Sequence, residues 1–249
     1  SDLPKVLHEI AGAPMLVHTM VAGQSLDPER CIIIAGHGAD SVRDVVQNHN
    51  SDAEFILQTE QLGTGHAVDQ ARDTLAGFIG NVIVLYGDSP LIQAETLKTL
   101  NASLSHSAVT VLGFEAKDPG RYGRLITNDD NLKRIVEFKD ASDAEKSMNL
   151  CNSGVMAVAA PLLFELLSEI DNENASGEYY LTDIVAKAVA HGAVCKVVRC
   201  TESETLGVNS RVDLAQVEYE FQSQRRAEAL KNGVTMPAPE TVYFSFDTY

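Results

Sequence analysis

One stretch constrains the fold more than any other: residues 81–91, which read N-V-I-V-L-Y-G-D-S-P-L. Val82, Ile83, Val84 and Leu85 form an unbroken apolar run rich in β-branched side chains. Such a run predicts a strand buried on both faces of a parallel sheet. Gly87 and Asp88 end it, and Pro90 has no N–H with which to continue a ladder. An acidic side chain therefore stands at the carboxyl end of a buried strand, where open α/β sheets bind their ligands. Two roles are open to Asp88 there: capping a turn or holding a divalent cation.

The flanking sequence repeats the alternation. Helices are predicted over 14–26, with Pro14 in the first turn, and over 40–48, where Val42, Val45 and Val46 share a face. Two more are predicted over 94–104 and from Gly63 onward, the latter with Ala67, Ala71 and Leu75 on one side. Strands are predicted over 30–35, 54–57, 81–86 and 108–114. This order implies an α/β protein built on a mixed, mostly parallel, doubly wound sheet flanked by helices.

Beyond Phe114 the rhythm changes. Residues 118–124 read as a turn-rich loop and 139–146 as a charged linker; 132–138, 150–157 and 193–199 read as strands, and 161–168, 182–190 and 210–231 as helices. Residues 1–12 read as loop, and the tail 234–249 ends in an apolar, strand-like V-Y-F-S-F. The expectation is one domain, with residues 1–114 as its first half, 115–233 as a smaller lobe and 234–249 as a tail.

Composition excludes several classes of function. A formal net charge of −16 argues against nucleic-acid or acidic-membrane partners, and no apolar run reaches the roughly 20 residues of a membrane span. An anionic substrate would need local Lys, Arg, backbone N–H groups or a metal to offset the global field. The four cysteines include no C-x-x-C pair, so a zinc site is not expected. Cys31 and Cys151 lie beside apolar runs and read as buried thiols of a reducing compartment, the cytoplasm. The scattered histidines show no H-E-x-x-H, and no G-x-S-x-G is present.

Of three further features, two admit two readings each. Gly63-Thr64-Gly65 stands between a strand and a helix: it is either an anion- or base-holding turn or a turn that needs glycine for steric reasons. Lys5, in L-P-K-V-L, reads on composition as a solvated surface residue. Asn209 immediately precedes a predicted helix and is either its N-cap or, with Asp88, an oxygen ligand of Mg²⁺.

Eight segments in order carry a resemblance: L-P-K-V-L-H-E-I-A-G-A-P-M, Q-T-E-Q-L-G-T-G-H-A, L-Y-G-D-S-P-L, G-R-Y-G-R-L, I-V-E-F-K-D, N-S-G-V-M, G-E-Y-Y-L-T-D and G-V-N-S-R. Together, from Asp2 to the last turn of the chain, they resemble the N-terminal domain of the bifunctional N-acetylglucosamine-1-phosphate uridylyltransferase / glucosamine-1-phosphate acetyltransferase family. The resemblance implies a Rossmann-like nucleotidyltransferase fold with a nucleotide-binding first half and a sugar-binding second half. It implies Mg²⁺-dependent transfer of a uridylyl group from UTP to N-acetylglucosamine 1-phosphate. By family motif, Lys5 would contact nucleotide phosphate, and Gln58, Gly63 and Thr64 would read the uracil. Tyr86, Gly87 and Asp88 would line nucleotide and sugar, Gly123, Glu137 and Asn152 would hold the N-acetylglucosamine, and Asp88 and Asn209 would bind Mg²⁺.

Two family features have no counterpart in this sequence. One is a strand and glycine-rich loop, resembling L-A-A-G-x-G-T-R-M, that lies upstream of the Lys5 motif and inside the sheet. A chain without it is expected to have an interrupted sheet and little or no activity. The other is a C-terminal left-handed β-helix that carries acetyl transfer and trimerisation, so acetyl transfer is not assigned to this sequence and the oligomeric state is left open. Competing expectations are a related sugar-1-phosphate nucleotidyltransferase of different base or sugar, and a non-catalytic sugar-nucleotide-binding module.

Overall fold

A computed structural model describes residues 3–129 and 131–248. The ends of two predicted segments, residues 1–2 of the opening loop and 249 of the tail, lie outside the described residues. After a single 3-10 turn at Lys5–Leu7, the order is β1 (Glu9–Ile10), β2 (Ala13–Pro14), α1 (Met15–Gln24), β3 (Ile32–Ala35), α2 (Ala39–His49), β4 (Glu54–Leu57), α3 (Thr64–Asp69), β5 (Asn81–Val84), α4 (Ala94–Ser103) and β6 (Val109–Glu115). The second half adds β7 (Arg124–Asn128), β8 (Asn131–Val136), α5 (Asp143–Lys146), β9 (Leu150–Ala159), α6 (Ala160–Leu167), α7 (Asp183–Ala190), β10 (Cys195–Cys200) and α8 (Arg211–Lys231).

Six strands form one sheet in the order β5-β9-β6-β10-β8-β7, and β3-β4 form a separate parallel pair. β5, β6 and β10 run the same way, as the α/β alternation implies, but β9 runs against them and inserts between β5 and β6. The sheet is therefore mixed, with most neighbouring ladders antiparallel. A right-handed βαβ rhythm sets strand direction; it does not exclude a later strand from intercalating.

Between β3 and β5 the sheet is interrupted. Both line one cavity of about 710 Å³, walled by Ile32, Ile34, Val82, Val84, Leu16 and Phe78 among others. This corrects the expectation that the run at 82–85 is buried on both faces: its residues, like those of the strand predicted over 30–35, are only half-buried, because one edge of each strand faces the cavity. Cys31 is half-buried for the same reason, while Cys151 is fully buried, and all four thiols are free.

Three other expectations change. Arg124, expected as the end of a loop, opens a strand over 124–128 that pairs with β8 and, at Arg124, with β9. The helix after Gly63 is short and ends at Asp69, so Ala71 and Leu75 reach the core from turns. The V-Y-F-S-F tail forms no ladder. Its backbone is satisfied by Gln222, which accepts from Phe244 N–H at 2.7 Å and donates to Phe244 O at 2.7 Å. The main core lies under α3, α6 and α7 around Met156, Leu163, Ile184 and Val185.

Candidate functional site

Strand β5 ends at Val84, two residues short of the predicted 81–86, and the chain beyond its carboxyl end carries Tyr86, Gly87 and Asp88. Gly87 lies in close contact: a Cβ there would stand 3.1 Å from the Leu16 side chain and 3.2 Å from that of Val6, which would have to yield by a few tenths of an ångström. That contact presses the Lys5 turn against the strand end. Lys5 Nζ consequently reaches Asp88 Oδ2 at 2.5 Å and Asn209 Oδ1 at 2.8 Å. Three segments far apart in sequence thus meet at one charge.

Asn209 is available for this because it is not the helix cap. Ser210 is: its hydroxyl accepts from Asp213 N–H at 3.1 Å, and Asp213 accepts from the N–H groups of Ser210 and Asn209 at 2.8 and 2.9 Å. This closed capping box satisfies the orphan donors of α8 and leaves the Asn209 amide oxygen facing Lys5. Those backbone donors hold Asp213 below the usual carboxylate range, Asn209 N–H first.

The oxygen set fits a hard divalent cation. One carboxylate and one amide oxygen converge on a point already held by a cation, the Lys5 ammonium. So few protein ligands would leave positions for phosphate oxygens and water, which suits Mg²⁺.

A second cluster lies beside the first. A Cβ on Gly123 would stand 3.4 Å from Glu137 and 3.5 Å from Asn152, and the Asn152 N–H donates to Gly123 O at 2.8 Å. Gly123, Glu137 and Asn152, predicted together, are together. The Asn152 amide oxygen caps its own turn, accepting from Gly154 N–H at 3.0 Å, so its NH₂ is the end left to a ligand. Glu137 is pushed above its ordinary range by burial, partly offset by a hydrogen bond from Thr182. Tyr86 joins the two clusters: burial pushes its hydroxyl up to about 12, the carboxylates of Glu137 and Asp88 add to this, and a hydrogen bond with Thr64 opposes it. Gly154, at φ +90°, lets the Tyr86 ring lie flat against the backbone; a Cβ would come within 2.6 Å of it.

The glycine turn is sterically crowded at both glycines. Gly63 adopts φ +115°, and a Cβ on it would lie 2.6 Å from Tyr179 O. Gly65 N–H is taken by that same carbonyl at 2.8 Å, so it is not free for a ligand. Thr64 accepts from Leu181 N–H at 3.0 Å. Gln58 bridges Gly63 O at 3.3 Å and His66 Nδ1 at 3.0 Å.

Two residues of the site were not singled out in the sequence. Thr182, buried, donates to Glu137 Oε1 at 3.0 Å; it belongs to the G-E-Y-Y-L-T-D segment, whose signal was read only as a whole. Arg124, 1% exposed, donates to Tyr122 O, and to Gly120 O and Lys146 O at 3.0 Å each. It clamps the loop that carries Gly123.

Comparison with known proteins follows the same lines. The nucleotidyl transferase family model matches residues 1–202. Proteins named "Bifunctional protein GlmU" from Ruegeria sp. and Paracoccus denitrificans are 57% identical over 248 residues and 55% over 249, each match taking in 100% of this chain and 55% of the relative. The chain thus spans about half the length of these curated relatives. Among solved structures, a UDP-glucose pyrophosphorylase complexed with UDP-glucose superposes with TM-score 0.70 at 17% identity, over 90% of this chain and 92% of that one. HddC from Yersinia pseudotuberculosis gives 0.64 at 23%, over 89% and 91%. These likenesses bear out the Rossmann-like nucleotidyltransferase fold, and the family match over most of its length establishes that the chain belongs to the nucleotidyl transferase family.

Proposed function

We propose that the chain transfers a uridylyl group from UTP to N-acetylglucosamine 1-phosphate, giving UDP-N-acetylglucosamine and pyrophosphate. One observation carries this reading: Asp88 and Asn209 aim oxygens at a single cation position, and Tyr86 connects that position to the cluster of Gly123, Glu137 and Asn152. The relatives' identity over the whole chain supports the choice among nucleotidyl transferases.

The chemistry matches the residues. The sugar phosphate oxygen attacks the α-phosphorus in line and pyrophosphate leaves, so no protein nucleophile is required. The demands are alignment of two anions and offset of developing charge. Asp88 and Asn209 would hold Mg²⁺, which when bound supplies that charge neutralisation. Lys5 would contact phosphate, and Gln58, Gly63 and Thr64 would face the base. Glu137 supplies an acceptor for sugar hydroxyls and Asn152 an amide donor for the acetamido group. Residues 1–114 would serve the nucleotide and 115–233 the sugar.

The cavity between β3 and β5 has two unpaired strand edges and apolar walls. We infer that it accepts an additional parallel strand, in keeping with the strand and glycine-rich loop that the family resemblance implies. The test is pyrophosphate release, measured on the chain alone and with that strand-loop fused upstream. The expected result is release from UTP that requires N-acetylglucosamine 1-phosphate and a divalent cation, is greater in the fused chain, and is lost in Asp88→Asn. Equal use of dTTP or GTP, or full turnover in Asp88→Asn, would overturn the reading.

A further inference from the structure

We propose that Lys5 is a resident counter-cation of the metal site: a divalent ion must displace its ammonium, and the displaced ammonium is then released toward an anionic ligand. The proposal rests on the assignment of Asp88 and Asn209 as cation ligands, and adds a competitor to them.

The geometry leaves no room for both cations. Lys5 Nζ lies 2.5 Å from Asp88 Oδ2 and 2.8 Å from Asn209 Oδ1. Those are hydrogen-bond distances to the same two oxygens that a hard cation would take at roughly 2.0–2.1 Å. An ammonium and a divalent ion on shared oxygens would stand about 3 Å apart, where their repulsion is severe. Lys5 is the partner able to leave. Its side chain is 41% exposed, its stem carries four rotatable bonds, and only its backbone is fixed, through Val6 packed on Gly87. Asp88 and Asn209 have shorter side chains than lysine, on the turn after β5 and just before the capped start of α8. The same ammonium thus guards the acidic pair when metal is absent and is freed when metal arrives, which makes cation binding precede any contact of Lys5 with phosphate.

The cost of displacement sets the expected effect. A half-exposed ion pair and one amide hydrogen bond together correspond to about a tenfold weakening of metal binding. The test is Mn²⁺ binding to the nucleotide-free chain, followed by electron paramagnetic resonance of the unbound ion. K5M is expected to bind about tenfold more tightly than the unaltered protein. K98M removes the same charge from α4 and is expected to bind unchanged. Equal or weaker binding by K5M overturns the proposal, as does an equal gain in K98M. Should K5M fail to fold, the unaltered chain with ¹³C-dimethylated lysines serves instead. Its Lys5 methyl resonance is expected to move on adding Mg²⁺, and a resonance that stays put overturns the proposal. D88N separates this inference from the site assignment: Mn²⁺ binding that survives in D88N would remove the metal site itself.

Discussion

Replacing Arg124 by Met tests whether the sugar-side loop is held by one buried guanidinium. The substitution keeps the unbranched apolar stem and deletes donors to the carbonyls of Tyr122, Gly120 and Lys146. Hydrogen bonds from a charged group contribute about 1.5–3 kcal/mol each, which for three bonds sets a ceiling well above the net effect. Gly120 is exposed and Lys146 half-exposed, so water recovers part of what they lose. Removing a buried charge also relieves its desolvation, and Arg124 Nε has no partner among the described residues to lose. The balance is a destabilisation of about 3 kcal/mol. At about 2–4 °C per kcal/mol for a chain of this size, the melting temperature should fall by about 6–12 °C. Because Gly123 O receives the Asn152 N–H, loosening the loop should also weaken N-acetylglucosamine 1-phosphate binding about tenfold while leaving UTP binding within twofold. Scanning calorimetry and isothermal titration measure both. R124K, which keeps the charge but not the fork, should fall between. A melting temperature within 2 °C of the unaltered chain, or equal weakening of both ligands, would refute the clamp.

Three other predictions concern neighbouring features. Burial, then Asp171 and Glu137, pushes Asp183 up to about 6. Its protonated form therefore favours the fold, and that contribution is complete below about pH 4 and lost as pH rises through 6. D183N should raise stability by about 1 kcal/mol at pH 7.5, after allowance for solvent screening, with the gain vanishing near pH 4; a pH series of melts showing a constant difference would contradict this. T182V should push Glu137 further up, because its hydrogen-bond donor is lost, and so move the acidic limb of sugar-phosphate binding to higher pH, whereas T182S should restore it. Fusing an apolar five-residue strand and glycine-rich loop upstream should raise the melting temperature and protect the amides of β3 and β5 from hydrogen exchange; unchanged protection would mean that the cavity between them holds no strand.

Strand β5 and its terminal Asp88 were legible because an unbroken β-branched run followed by Gly-Asp-Ser-Pro has few other solutions. The convergence of Lys5 and Asn209 on that carboxylate was not, since no local pattern links segments 83 and 204 residues apart. Asn209 also competed with Ser210 for the cap, and only the S-x-x-D spacing of Ser210 and Asp213 separates them. The half-burial of β3 and β5 could not be read from hydrophobicity, which states what a strand would prefer to touch and not whether it does. β7 was missed because its ladder depends on β8, which begins at Asn131, three residues beyond the end of β7. The tail read as a strand because alternating aromatics resemble one, yet its backbone is paired by the side chain of Gln222.

That tail ties together both flanks of Asp88. Phe246 N–H donates to Ala11 O at 2.9 Å, Ala11 N–H donates to Glu218 on α8 at 2.7 Å, and the Phe246 ring lies on His18. The segment bearing Lys5 and the helix bearing Asn209 are thus buckled to each other from behind, like two jaws sharing a hinge pin. A shift of Phe246 therefore pulls on both jaws at once, and so on the gap between them.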